Sequence, residues 1–241
     1  MNKELLSIEY SIWNTHDNKE VSNLILMKAQ KLTDNGFFNE AINELNRIKD
    51  RSSIDTNELF YKISLNNFML GDYNNAYNKM LDIPDSLRLH EKDYLTLWLF
   101  ILNEMNKWNE CKQLMLTIAD TSSVRRPETE ELPVGIKYKS PIKAKHLSGF
   151  FPGMGQFYTG YPLKGTSSIV LHAAFCLITV ESILSGMYIT GIVYGLYPVA
   201  RLYLGGKHNS YNLAEAKNSK QVLRLKKQYQ SNIQLLMEKY N

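Results

Sequence analysis

Cysteine is nearly absent. Cys111 and Cys176 are the only two in 241 residues, and neither stands in a C-x-x-C pair, so a disulfide framework and a Cys-rich zinc module are both excluded. Catalytic spacings are missing as well. The five histidines, His16, His90, His146, His172 and His208, form no H-x-x-x-H, no G-x-S-x-G occurs, and no carboxylate pair has a reaction-specific spacing. These gaps point away from an enzyme, and no cofactor or metal motif replaces them. The first 20 residues lack the apolar stretch of a signal peptide. The last scarcity is local: the 42 residues between Lys164 and Lys207 hold only two charges, Glu181 and Arg201. With 44% apolar and 22% charged residues, the chain as a whole still has the composition of a folded protein.

Charge is unevenly spread. Residues 1–120 carry 13 Lys/Arg against 18 Asp/Glu, and residues 121–241 carry 15 against 6, so the net +4 averages an acidic half and a basic one. A helix rises about 1.5 Å per residue, so the charge-poor stretch reaches about 63 Å, twice the ~30 Å hydrocarbon layer of a bilayer. Two crossings fit, from about Gly165 to Ser185 and from Met187 to Leu204, with Gly186 at the turn. Pro198 and Arg201 weaken the second. Within it, Gly191-Ile-Val-Tyr-Gly195 is a G-x-x-x-G, which lets helix backbones approach closely and makes Gly191 and Gly195 candidate membrane packing positions. His172 and Glu181 lie nine residues apart, on opposite helix faces, and form no relay pair. Arg125, Arg126, Lys137, Lys139, Lys143 and Lys145 precede the stretch, and Arg201, Lys207, Lys217, Lys220, Arg224, Lys226 and Lys227 close it. The positive-inside rule then puts both ends in the cytoplasm of an integral protein, as in a bacterial inner membrane. If an export signal has been removed, the amino-terminal region faces the periplasm or exterior instead.

The acidic half repeats at an offset of 35 residues. Gly36-Phe37-Phe38-Asn39-Glu40-Ala41, Gly71-Asp72-Tyr73-Asn74-Asn75-Ala76 and Asn106-Lys107-Trp108-Asn109-Glu110-Cys111 come into register. So do Leu45, Met80 and Met115, then Ile48, Ile83 and Ile118, and upstream Leu24, Leu59 and Tyr94 with Ile25, Phe60 and Leu95. A period near 34 with small and aromatic residues at fixed places means stacked helix–turn–helix units. Leu6, Tyr10 and Trp13 fall one period before Ala41, Leu45 and Ile48, which predicts a capping helix packed by those three residues. Residues 22–120 resemble the tetratricopeptide repeat family, departing from it at Asn106, Cys111 and Pro84. The resemblance implies a concave peptide-binding groove formed by Leu26, Gln30, Thr33, Tyr61, Leu65, Phe68, Thr96, Phe100 and Asn103, with Glu58, Asp93 and Glu104 nearby. No lysine or arginine is among them, so the carboxylate-clamp version of the family is unsupported. An aromatic, mildly acidic groove suits an apolar or basic segment; the plainer alternative is that Tyr61, Phe68 and Phe100 simply bury against a neighbouring helix.

Five of the seven prolines fall between residues 127 and 162, which marks 121–147 as an extended, basic linker. The following Ser148-Gly149-Phe150-Phe151-Pro152-Gly153-Met154-Gly155-Gln156-Phe157-Tyr158-Thr159-Gly160 has no preceding β-branched strand and no Gly-Lys-Ser/Thr, so it is not a phosphate loop. Aromatics among Gly and Pro just before a crossing suit the headgroup layer, as a short interfacial or re-entrant helix. The pattern P-G-x-G-Q-x-Y-x-G, the apolar stretch and the motif from Tyr203 to Asn218 resemble a small membrane hairpin module of bacterial, especially Bacteroidetes, proteins, distantly TM2-like, over residues 148–218. It implies a membrane module without an activity. In the tail, 207–241, Val222, Leu225, Tyr229, Ile233, Leu236 and Tyr240 make one apolar stripe beside Lys220, Arg224, Lys226 and Lys227. That predicts a basic amphipathic helix for anionic lipid, the repeat array or a second protomer; nucleic acid is disfavoured because no recognisable nucleic-acid fold accompanies the charge.

The expected architecture is all-α: a tetratricopeptide-like solenoid over 1–120, the linker, an interfacial segment and two-helix membrane hairpin over 148–206, and the amphipathic tail. The expected function is a membrane-anchored protein-interaction scaffold with the bilayer and a protein or peptide as partners. The alternative is an accessory factor in membrane-protein insertion, export or envelope assembly. Self-association through the hairpin or tail fits either.

Overall fold

The computed structural model describes residues 3–48, 54–121 and 132–240, and among them it is all-helical, without a strand. In order come α1 (Lys3–Asn14), α2 (Asn18–Asp34), α3 (Phe38–Asn46), α4 (Thr56–Met69), α5 (Tyr73–Leu81), the single turn α6 (Asp85–Arg88), α7 (Lys92–Glu104) and α8 (Trp108–Thr121). Then follow α9 (Pro141–Phe150), α10 (Met154–Tyr158), α11 (Pro162–Leu184), α12 (Tyr188–Thr190), a π-helical segment (Gly191–Leu196) and α13 (Tyr197–Lys239). The chain forms two compact units, Met1–Val134 with Lys226–Asn241, and Gly135–Leu225. The first unit thus runs past the expected boundary at residue 120 and includes the end of α13. The acidic cluster at 128–131 lies outside the described residues.

Unit 1 uses one helix cap three times, 35 residues apart. Gly36, Gly71 and Asn106 take left-handed φ values of 80°, 79° and 60°. At each, two successive N–H groups double back onto the preceding helix: Gly36 to Thr33 and Phe37 to Leu32, Gly71 to Phe68 and Asp72 to Asn67, Asn106 to Asn103 and Lys107 to Leu102. Glycine meets no Cβ penalty there, and asparagine is the residue that tolerates the conformation next best. The departure at Asn106 therefore preserves the turn. The returning helices bury Ala41, Ala76 and Cys111 completely, with Leu45, Met80, Met115, Ile48, Ile83 and Ile118 below them. Burial pushes the Cys111 thiol up to about 12, so this cysteine packs as a small apolar group in the place alanine holds elsewhere.

α1 is present, but its inward residues are Leu5, Ile8 and Ile12, while Leu6, Tyr10 and Trp13 are exposed. The expected capping face is therefore corrected by roughly one residue of helix rotation. That rotation turns Glu9 to ions on α2 and α3: Lys28 Nζ donates to Glu9 Oε2 at 2.6 Å and to Glu44 Oε1 at 2.6 Å, and Arg47 Nη1 donates to Glu44 Oε2 at 2.6 Å. After α5, the buried Arg88 guanidinium donates to the Met80 carbonyl at 2.9 Å, lies over the Trp98 ring and pairs with Asp85. From just beyond the early Pro84 it satisfies the end of α5.

The tail stripe is buried in protein. Tyr229, Ile233 and Leu236 are almost fully covered, and Tyr229 donates its hydroxyl to the Trp108 carbonyl at 3.1 Å. Lys226 Nζ donates to Glu104 Oε2 at 2.8 Å. Of the three dispositions the stripe allowed, docking on the repeat array is the one the structure adopts.

In unit 2, helix reaches into the segment expected to be an extended linker. Pro141 opens α9 at a position where its missing N–H costs nothing, and Ser140 Oγ caps the Lys143 N–H at 3.2 Å. α11 ends at Leu184, Gly186 with a φ of 75° turns the chain back, and the π-helical segment packs along α11. Only α11 is long and apolar enough, among the described residues, to cross a membrane. The second stretch, Met187–Leu204, is helical but divided among α12, the π-helical segment and the start of α13. Pro198 lacks the N–H for a regular turn and its ring crowds the preceding one; the wider π turn just before it takes up that mismatch.

Candidate functional site

The predicted groove positions of unit 1 lie on successive first helices and reach one another in series. Between α2 and α4, Lys62 Nζ donates to Gln30 Oε1 at 2.8 Å and Thr33 Oγ1 donates to Asn66 Oδ1 at 2.9 Å. Between α4 and α7, Tyr61 stacks on Tyr94 with centroids 4.6 Å apart, and Phe68 meets Phe100 at 6.4 Å. Leu26, Leu65 and Thr96 are half-buried beside them. The result is a ribbon of aromatic and amide groups across three helices. Asn103 does not join it. It is 1% exposed, accepts from Trp108 Nε1 at 3.2 Å and donates to the Lys226 carbonyl at 3.0 Å, so it fastens the end of α13 and offers nothing to a peptide.

The ribbon is electrically negative at the tyrosine stack. Burial, then Asp93, hold the Tyr61 hydroxyl proton on above its ordinary range. Burial, then Asp55, Glu58, Glu91 and Asp93, do the same for Tyr94. Four carboxylates thus surround two half-buried rings, one of them, Glu58, already 3.4 Å from the Lys62 ammonium. Tyr94, Lys62, Asn66, Asp55 and Glu91 were not on the predicted list. The signal that finds the contacting residues is their offset: partners on neighbouring first helices are 32 or 33 residues apart, slightly less than the 35-residue repeat, because the contact reaches back along the next helix.

No protein-family model, curated protein or solved structure matches this chain.

In unit 2 the glycine motif is a packing device. A Cβ on Gly155 would stand 2.1 Å from the Ala144 carbonyl oxygen, and one on Gly153 would stand 2.5 Å from that of Gly165. Such close backbones leave polar groups to be satisfied inside. Ser148 Oγ accepts from the Gly155 N–H at 3.0 Å and donates to Gln156 Oε1 at 2.9 Å, while Gln156 Nε2 donates to the Gly206 carbonyl at 3.3 Å. Ser210 Oγ donates to the Ala144 carbonyl at 3.2 Å, Lys217 Nζ to that of Thr159 at 2.9 Å, and Asn218 exchanges two bonds with the Lys139 backbone. The two halves of the motif read in the sequence, 148–165 and 203–218, thus form one polar lock.

Gly191 and Gly195 are also inward. A Cβ on Gly195 would stand 2.1 Å from Thr179 Oγ1, and one on Gly191 3.2 Å from Ser182 Cβ. The G-x-x-x-G spacing is consumed inside the chain, against α11, and is not a surface for a second protomer. His172 is buried with Nδ1 2.7 Å from the Ser168 carbonyl, whereas Glu181 is exposed. The outer face of α11 is apolar and open: Leu163, Leu177 and Leu184 are 83%, 69% and 82% exposed, and only 11% of its most apolar window is buried.

Proposed function

We propose that this chain is a membrane-anchored interaction scaffold, in which a tetratricopeptide-type helical array binds a peptide segment and an apolar hairpin holds that array at the bilayer. The observation that carries the reading is the bare outer face of α11. A run of large aliphatic side chains on a 23-residue helix exceeds what a monomeric protein leaves in water, and its length matches the hydrocarbon layer. The π-helical segment and the start of α13 complete the hairpin, with Gly186 at the far turn and both flanks on the cytoplasmic side by their positive charge.

The ribbon centred on Tyr61 and Tyr94 is the proposed docking surface. Its carboxylates favour a segment carrying lysine or arginine next to an apolar residue. Confinement to the same membrane raises the effective concentration of a partner that is itself membrane-bound, so a modest groove affinity suffices.

Photocrosslinkers placed at Tyr61 and Phe100, compared with crosslinkers at Ile192 and Leu196 on the open face of the hairpin, test the reading. Capture of a protein through the first pair supports the scaffold. Capture only through the second pair rejects it in favour of an accessory factor that touches client helices in the bilayer.

A further inference from the structure

Between α11 and the start of α13, unit 2 contains a cleft of about 430 Å³. Its origin lies in two missing side chains. A Cβ on Gly205 would meet nothing within 4 Å, and one on Gly206 would meet only Gln156 Nε2 and Ser168 Oγ at 3.9 Å. Lys164, in the first turn of α11, Arg201 and Asn209 line it, and all three are exposed. The 1% exposed Gln156 and the half-buried Ser168 lie innermost, Ser167 is exposed with its hydroxyl donated to the Leu163 carbonyl at 2.8 Å, and Leu163, Leu171 and Leu202 complete the lining. The cleft therefore has cations and hydrogen-bond donors along its length and hydrocarbon beside them.

Among the described residues, no carboxylate pairs with Lys164 or Arg201. Unit 2 holds ten Lys/Arg, namely Lys137, Lys139, Lys143, Lys145, Lys164, Arg201, Lys207, Lys217, Lys220 and Arg224, and only Glu181 and Glu215 as carboxylates. The Arg201 guanidinium donates to the Tyr197 hydroxyl at 3.1 Å, and Lys164 Nζ lies 5.5 Å from the centroid of the Tyr161 ring. Both contacts leave a full positive charge. Gln156 Nε2 spends one N–H on the Gly206 carbonyl and has a second. Arg201 also sits 15 residues beyond Gly186, about 22 Å at helical rise, against a hydrocarbon layer of ~30 Å. Under the membrane reading, on which this inference rests, that places an arginine several ångströms inside the boundary, where an unanswered charge is costly.

We propose that this cleft binds the phosphate of an anionic phospholipid drawn down between the two helices. Arg201 and Lys164 hold the phosphate oxygens, Asn209, the Ser168 hydroxyl and Gln156 hold the remaining headgroup atoms, and the leucines receive the first methylenes of the acyl chains. The shared chemistry is a phosphate ester; the source assigned here is a lipid, because the walls are apolar and open toward the exposed face of α11.

The test uses the full chain in vesicles of phosphatidylcholine containing about one third phosphatidylglycerol, followed by native mass spectrometry to count retained lipids, with helicity checked by circular dichroism. The wild type is expected to retain one phosphatidylglycerol in preference to phosphatidylcholine by about tenfold, the scale of charge-assisted hydrogen bonds. Arg201→Gln and Gly205→Leu, which removes no charge but fills open space, are each expected to abolish most of that preference. Arg224→Gln, a loss of charge outside the cleft, is expected to leave it within about twofold. Equal losses in Arg224→Gln and Arg201→Gln would mean diffuse attraction and overturn the site. Displacement of the lipid by inorganic phosphate alone would overturn the lipid source. A chain that fails to float with the vesicles defeats the anchor itself, whereas one that floats without lipid preference defeats only the cleft.

Discussion

Leu45, Met80 and Met115 in unit 1 are at most 1% exposed, while Leu163, Leu177 and Leu184 in unit 2 keep most of their surface; both units bury polar side chains, Asn66 and Asn103 in the first and Ser148 and Gln156 in the second. One unit follows the rule for water, with aliphatic groups inside. The other packs α11 and its neighbours through glycines and turns leucine outward, the face that the proposed anchor gives to hydrocarbon. The contrast teaches that burial pattern, more than apolar content, separates the two.

The largest effect is expected at the two thiols. Cys176 is exposed on α11 and Cys111 is buried with its thiol pushed up to about 12. In sealed vesicles a water-soluble maleimide should modify neither, and denaturation should release both, with Cys176 suppressed at least about a hundredfold beforehand because hydrocarbon excludes both thiolate and reagent. Rapid labelling of Cys176 in a Cys111→Ser chain on intact vesicles would remove α11 from the membrane.

Core truncation comes next. Met80→Ala should cost about 2–5 kcal/mol in equilibrium unfolding, whereas Leu177→Ala, on the open face of α11, should change stability by less than about 0.5 kcal/mol. Comparable losses at both positions would erase the distinction between the units.

Glycine substitutions then separate close packing from open space within unit 2. Gly155→Ala drives a methyl group against a backbone carbonyl and should cost about 1–3 kcal/mol; Gly205→Ala meets nothing within 4 Å and should gain up to about 1 kcal/mol from helix propensity. Thermal melts monitored by circular dichroism distinguish the two signs.

The ion network of unit 1 gives a smaller, pH-dependent effect. Burial alone would raise the Glu9 carboxyl, but hydrogen bonds from Lys28 and Arg47 outweigh it and lower the group from the usual 4.5 to about 2. Stability from this pairing is therefore complete above about pH 4.5 and is lost as pH falls toward 2. Lys28→Met should cost about 1–2 kcal/mol at neutral pH and flatten that acid slope. An unchanged slope would mean that Glu9 is not held by the network. The smallest effect, about 1 kcal/mol, is expected for Asn106→Ala, since alanine resists the left-handed turn that asparagine accepts.

Much of this was legible along the chain. The 35-residue register located three caps and three buried triplets, because each turn needs a residue that takes positive φ and each return helix needs a small residue at the contact. The apolar stretch located α11. Other features were out of reach. Leu6, Tyr10 and Trp13 matched the repeat but face outward, since α1 packs through Leu5, Ile8 and Ile12 instead. Asn103 matched a groove position but is spent on the backbone of Lys226, more than a hundred residues away. The apolar length of 187–204 was visible, but not its division by a π turn before Pro198.

Periodicity, charge-poor length and residue size are local quantities, and they alone determined that the chain is helical, repeated at its start and strongly apolar after Lys164. Tertiary structure decided which side of each helix is spent on packing. It set the rotation of α1, seated the tail stripe in unit 1, closed the glycine motif into a polar lock and opened a cleft at Gly205 and Gly206. The reason is physical: a helical sequence presents several faces of similar merit, and only the partners brought by distant segments choose among them.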